Sequence, residues 1–367
     1  MADCAPPFAR SAFRNTFSRP LLFLFTWFAS AAAGARLASG DRLLVGLLAA
    51  AGLAVAAAAC LLGSTPLGVG RVLAALAGTA SPGDVIVVWE IRLPRALAAY
   101  VTGAALGVSG AALQGLLRNP LAEPGVLGVS ATASLAATFV IYYGLIEVGA
   151  FALPVAAIAG ALAATALLTV AAVRVGSVVT LILVGIGLSS FAGAMMALLM
   201  NLAPNPFSLA DMLNWTLGSV ANRSFDDLVL AAPFLAAGFV LLWAARRDLS
   251  ALTLGEEAAA GVGVDLRRAR RLVVVGAGLA TGAAVATAGA IGFVGIVAPH
   301  LVRRLVDHDP ARTLVPAALL AGLILVLADI GVRLAPTAAE LRLGVVAALI
   351  GAPVFIWIAA GRRLGNG

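Results

Sequence analysis

Ten stretches of 12 to 25 residues, each with at most one charged side chain, make up most of this chain and leave it few environments in which to fold. They run roughly over 43–63, 93–117, 121–143, 151–173, 178–200, 227–245, 272–289, 291–302, 313–332 and 343–361. About 20 apolar residues in a helix cross a hydrocarbon core. Inside that core the backbone must satisfy its own hydrogen bonds. Charged residues are only 11% of the chain and apolar ones 62%, against a soluble norm of roughly 25% charged. A water-soluble domain of that make-up would expose large apolar patches and aggregate. The expected fold class is therefore all-α, a polytopic bundle of ten core transmembrane helices in one membrane domain, residues 43–367, preceded by an N-terminal extension, residues 1–42.

All 24 basic residues are arginine. A P-loop ATPase needs the lysine of G-x-x-x-x-G-K-[ST], and that pattern is absent, so the chain is not its own ATPase of that class. The net charge of +7 does not indicate nucleic acid, because the arginines lie between apolar runs and not in one basic domain with interleaved aromatics. The two cysteines, Cys4 and Cys60, lie on different segments and support neither a disulfide framework nor a metal site.

Arginine placement sets an orientation. With the start of the first run inside, the inner segments hold 18 arginines, and the outer ones hold only Arg71, Arg92, Arg95, Arg223, Arg333 and Arg342. That split follows the positive-inside rule and puts both termini of the core in the cytoplasm.

Two regions strain the scheme. Residues 272–302 offer 31 positions for two crossings, where straight helices would want about 40. Glycines 289, 292 and 295 cluster at the centre. This reads either as a broken helical hairpin whose irregular backbone is buried in protein or lines a wet cavity, or as a tight turn between two short packed helices. Residues 20–39 are apolar enough for an eleventh span or a signal-peptide core, but either would move the arginine excess to the wrong face. They are read as an interfacial or peripheral helix, or as an extension upstream of the natural start. Elsewhere, Gly103 and Gly107 form a G-x-x-x-G pair, and Gly185, Ser189 and Gly193 recur at four-residue intervals, spacings that let helices approach closely.

Four separated motifs carry a resemblance. They are RLPRALAAYVTGAALGVSGAALQGLLRNPLAEPGVLGVS (92–130), LGEEAAAGVGVDLRRAR (254–270), GAIGFVGIVAPHLVRRL (289–305) and AAELRLGVVAALIGAPVFIW (338–357). Together they resemble the FecCD or BtuC-like family, the permease subunits of bacterial ABC importers for iron chelates, haem or cobalamin. The resemblance covers roughly residues 43–361. It implies a homodimer in the bacterial inner membrane, completed by two separate ATPase subunits, which hold the ATP and Mg, and one periplasmic binding protein. No cofactor or metal is expected in this chain.

The same resemblance implies site residues. Leu254, Gly255, Glu256, Glu257, Ala258, Ala259 and Gly261 match the coupling helix that sits in a groove of the ATPase. From the residues alone, this is a short inner-side helix with acids in its first turn, where the helix dipole favours them. The alternative is a helix lying on lipid headgroups, although Glu256 and Glu257 suit an anionic surface poorly. Arg92, Arg95 and Arg333 match positions that pair with the binding protein. As outer-face charges they suit docking by charge complementarity, or they snorkel to the interface. Val178 and Val179 stand where the cobalamin-carrying member has two small hydroxyl residues at its inner gate. An apolar constriction can still close by dewetting. Gly185, Ser189 and Gly193 match the helix that borders the path at the dimer axis.

Met195, Met196 and Met200 read as adaptable packing, and His300 and His308 as structural or loop residues. The cargo expected first is a ferric siderophore, then haem or a corrinoid. A proton-driven secondary transporter is the reading from another class. It would place ionisable residues mid-span, whereas Asp329 and Glu90 lie near run ends and Glu123 beside a loop.

Overall fold

The computed structural model describes residues 39–63, 67–149, 151–174, 177–336 and 340–361. Helices α1 (Ser39–Leu61), α2 (Val69–Ala77), α3 (Pro82–Leu117), α4 (Val129–Tyr142), α5 (Ala152–Arg174), α6 (Val178–Asn201) and α7 (Pro206–Thr216) form the first half. Then follow α8 (Phe225–Ala244), α9 (Arg246–Ala251), α10 (Glu256–Gly261), α11 (Leu266–Ala288), α12 (Val294–Arg303), α13 (Pro310–Leu334) and α14 (Leu343–Gly361). There is no β-strand among the described residues. A helix falls on each of the ten apolar runs, and seven of them, α1, α3, α5, α6, α8, α11 and α13, are long and apolar enough to cross a membrane. The expected interfacial helix at 20–39 lies outside the described residues, apart from the first residue of α1.

Local chemistry explains the helix starts. Ser81 caps α3 by accepting the Asp84 amide hydrogen, and Pro82 occupies its first turn. Through a π-helical turn at Val87–Arg92 the helix runs on to Leu117, so it begins 11 residues before the apolar run. Ser224 and Asp227 form a capping box that opens α8.

Two expectations change. The run 121–143 is not one helix. Arg118 ends α3 in the left-handed conformation, Asn119 Oδ1 accepts the Leu121 amide hydrogen, and a 3-10 turn at Pro124–Leu127 follows, so that α4 keeps only 14 residues. Prolines 120 and 124 and the positive φ of Gly128 break what hydropathy reads as continuous. In the short hairpin, the first arm is full length. Asp265 caps α11 at the amides of Arg267 and Arg268, so the helix recruits the arginine segment and reaches 23 residues. All the shortage falls on α12, which has 10 residues after a break at Gly289 and Phe293, both with positive φ.

The irregular backbone is packed against protein, as membrane depth demands. Ser219 N–H donates to the Ala288 carbonyl at 2.7 Å and Gly344 N–H to the Gly218 carbonyl at 3.3 Å. A Cβ on Gly289 would lie 2.4 Å from the Trp215 carbonyl oxygen, so only glycine permits this approach.

Helices α3 and α13 pack antiparallel at the centre. A Cβ on Gly103 would stand 2.4 Å from the Ala321 carbonyl, and one on Gly107 2.5 Å from that of Ala317, so the G-x-x-x-G pair serves backbone-to-backbone packing. Arg95 meets Asp329 at one end of this pair, and Gly115 meets Pro310 at the other. These contacts define the Arg95 end and the Pro310 end of the bundle.

Candidate functional site

At the Pro310 end the chain leaves α8 through α9 and a 3-10 turn, Leu252–Leu254, into the short helix α10. Gly255, with φ 101° and ψ 159°, makes a corner that an L side chain rarely adopts, and Gly263, with φ 92°, makes the corner after the helix. Gly261 is the last helical residue, and Gly263 makes the turn after it. Glu256 accepts from Arg270 Nη2 at 2.9 and 2.8 Å, which ties α10 to α11. Ala259 is fully buried beneath α10, whereas Glu257, Ala258 and Gly261 are exposed. Leu254 and Val262 flank the helix at 67% and 68% exposure, two apolar knobs among charges. The amide hydrogens of Arg268 and then Arg267 hold the Asp265 carboxyl below its ordinary range.

The segment is also braced from behind. Ser250 Oγ donates to Asp309 Oδ1 at the start of α13, and Asp309 also caps that helix. Arg312 grips Asp41 through two bonds of 2.7 Å and Asp307 at 2.8 Å, which fixes the start of α1 to α13.

At the Arg95 end the three expected docking arginines converge. Their expected exposure is not found: side-chain exposure is 11% for Arg95 and 7% for Arg333, and Arg92 is buried. Arg95 holds Asp329 Oδ1 from Nε at 3.0 Å and from Nη2 at 2.8 Å, and also reaches Glu340. Arg333 Nε lies 3.1 Å from the other Asp329 oxygen. Arg92 donates to the carbonyls of Cys60 and Leu61, each at 2.9 Å, and Arg333 to those of Ala59 and Leu62 at 3.0 and 3.2 Å. The unsatisfied carbonyls at the end of α1 attract these cations, as helix C-termini do. The cluster clamps α1, α3 and α13. Three positive charges face two carboxylates there, so the cluster itself keeps a positive excess.

Between the ends, α6 separates its expected path residues. A Cβ on Gly185 would lie 2.7 Å from Leu127 Cα, and Ser189 Oγ donates to the Gly125 carbonyl at 3.3 Å, so both face the 3-10 turn. A Cβ on Gly193 would meet nothing within 4 Å among the described residues. Val178 opens the helix half-buried, and Val179 is 64% exposed. Among the described residues, Val179, Leu183, Gly187 and Phe191 form an exposed stripe on α6.

A cavity of about 280 Å³ lies behind α6, lined among others by Glu123, Ser134, Ser189, Met196, Thr216 and Gly292. It sits where three breaks meet: the turn before α4, the end of α7 and the Gly289–Phe293 break. Ser134 Oγ is buried there without a hydrogen-bond partner. Sequence reading missed this site because Glu123 looked like a loop residue. The signal available was its neighbourhood, a carboxylate between two prolines inside an apolar run.

A family model described as the FecCD transport family matches residues 47–361. The chain is 41% identical over 286 residues to YvrB, an uncharacterised ABC transporter permease of Bacillus subtilis, covering 77% of this chain and 80% of that one. It is also 41% identical over 289 residues to BtuC, a vitamin B12 import permease of Salmonella typhimurium, covering 76% and 86%. Among solved structures it is similar to an inward-facing metal-chelate type ABC transporter, with TM-score 0.76 and 30% identity over 87% of this chain and 99% of that chain. The chain belongs to the FecCD transport family, as a multi-pass membrane permease of the BtuC-like kind that serves ABC importers.

Proposed function

We propose that this chain forms a homodimer in the bacterial inner membrane and imports a metal chelate from periplasm to cytoplasm, powered by two separate ATPase subunits and supplied by a binding protein. The observation that carries the reading is the build of residues 254–263: a short helix pinned by Glu256 and Arg270, with Leu254 and Val262 projecting beside it. Such a rigid knob suits a groove in an ATPase subunit. In this proposal the Pro310 end and both core termini are cytoplasmic, in keeping with the arginine split. ATP binding closes the ATPases, moves α10 and switches a path at the dimer axis between outward and inward access.

The open stripe of α6 supports a second copy seated against it, with Gly193 giving clearance for a bulky cargo and Val178 and Val179 narrowing the inner end. The periplasmic face would dock the binding protein. Arg92, Arg95 and Arg333 would act there through the positive excess of their cluster, steering acidic partners, while their side chains brace the helices beneath. Residues 43–367 would be the permease domain. The relatives with BtuC in their names favour a corrinoid cargo, and the likeness to a metal-chelate type transporter keeps a ferric siderophore as the second candidate.

The test is uptake into vesicles by this chain coexpressed with its neighbouring ATPase and binding protein, comparing labelled cobalamin, ferric siderophore and haem with and without ATP. ATP-dependent accumulation of one of them is expected. Uptake driven by an ion gradient, with neither partner needed, would overturn the reading.

A further inference from the structure

Glu123 belongs to neither end of the bundle, and its surroundings single it out. It is half-buried and lines the mid-depth cavity, and no arginine pairs with it among the described residues. Its Oε2 accepts the Phe293 amide hydrogen at 3.1 Å. Phe293 is the residue that opens α12, and with φ 67° it holds a left-handed conformation that a bulky side chain rarely takes. Such a conformation persists only where its surroundings over-determine it. Here α14 supplies one side, since a Cβ on Gly351 would lie 2.3 Å from Phe293 Cβ and the Phe355 ring meets that of Phe293 at 6.2 Å. Glu123 supplies the other.

From this clasp contacts run in both directions. Toward the Pro310 end, Gln114 Nε2 donates to the Gly295 carbonyl and Arg303 Nη2 donates to Gln114 Oε1 at 2.6 Å, so α12 is held along its length to α3. A 3-10 turn then joins α12 to the start of α13, where Asp309 meets Ser250 of the segment that carries α10. In the other direction, Glu123 begins the turn Pro124–Leu127, whose Gly125 carbonyl receives Ser189 Oγ and whose Leu127 backbone packs on Gly185 of α6. The contacts to Phe293 therefore lie between α10 and α6.

We propose that Glu123 is a positioning residue for transport, the clasp through which movement of α12 reaches the 3-10 turn and α6. The cavity beside it is the space into which the turn moves. This rests on the ABC importer reading. Contiguity alone does not establish energetic coupling, so a ratio has to be measured that a purely structural residue would leave alone: cargo transported per ATP hydrolysed.

The experiment uses the full complex in proteoliposomes with whichever of cobalamin, ferric siderophore or haem the unsubstituted complex takes up. Removing a charge-assisted bond in Glu123→Ala is expected to lower transport per ATP about tenfold while ATP hydrolysis persists. Glu123→Gln, whose carboxamide oxygen can still accept from Phe293, is expected to restore most of the ratio. If the alanine variant fails to assemble, Glu123→Asp, one methylene too short for the bond, carries the same expectation. An unchanged ratio in the variants that lack the bond, or a glutamine variant as uncoupled as alanine, overturns the clasp. Absence of ATP-driven uptake by the unsubstituted complex is a different result and removes the functional reading together with the inference.

Discussion

Asp329 is fully buried between Arg95 and Arg333, and its carboxylate is what makes two nearly buried guanidinium groups tolerable. Removing one member of a buried ionic cluster leaves the others desolvated and uncompensated, at a cost of about 3–5 kcal/mol. Asp329→Ala is therefore expected to lower the unfolding temperature of the detergent-solubilised protein sharply. Arg71→Ala, which breaks an ion pair whose arginine is 59% exposed, is expected to change it little. Charge reversal at Arg92 or Arg95 is expected to damage folding before it can report on binding-protein affinity, which a thermal scan run beside the affinity measurement would show. Asp265 gives a pH prediction. Its folded value is depressed by backbone donors, so its contribution to the start of α11 is complete above its ordinary value and is lost as pH falls through the depressed one. Substituting Asp265 by asparagine should flatten that acid-side dependence in a stability-versus-pH series.

Among elements, the glycines sort into those that close packing and those that leave space. A Cβ at Gly110 would fall 1.9 Å from the Gly295 carbonyl oxygen, where neither backbone can yield. Gly110→Ala is expected to prevent α12 from seating on α3, read as loss of folded protein on size-exclusion chromatography. A Cβ on Gly193 would enter open space, so Gly193→Leu is expected to leave thermal unfolding unchanged and, on the proposed path, to reduce uptake. Spacing of small residues showed that α3 and α6 approach other backbone closely. It did not show which glycines of α6 face the 3-10 turn and which face open space, because that depends on the turn itself, and the turn interrupts a run that hydropathy reads as a helix.

At the scale of the whole molecule, the two ends are built differently for the work proposed for them. The Pro310 end presents a stiff exposed knob, and Leu254→Asp together with Val262→Asp is expected to abolish copurification of the ATPase while leaving the thermal transition in place. Retained ATPase would count against the coupling assignment. The Arg95 end is a clamp, tying the end of α1 to α3 and α13 by carbonyl and carboxylate contacts. Between them the molecule concentrates its broken elements at one depth, where a chelate-sized cargo would have to be let past.

Apolar run length was enough, before any coordinates, to give the all-α membrane class and the ten helical segments, because lipid permits almost nothing else of such a chain, whereas the family was legible only through four motifs that resemble it. The short helix α10 was legible as well, because its glycines and acids stand in a polar interval where local chemistry acts unopposed. Tertiary structure decided the rest. It drew in three arginines expected on the surface, Arg95 and Arg333 against an acidic residue 234 positions from Arg95 and Arg92 against the carbonyls at the end of α1. It also shortened α4 and α12 and carried Glu123 inward to the backbone amide of Phe293, 170 positions away. Partners that distant in sequence leave no trace in local pattern, so which charges are buried and which breaks meet is settled only when the helices pack.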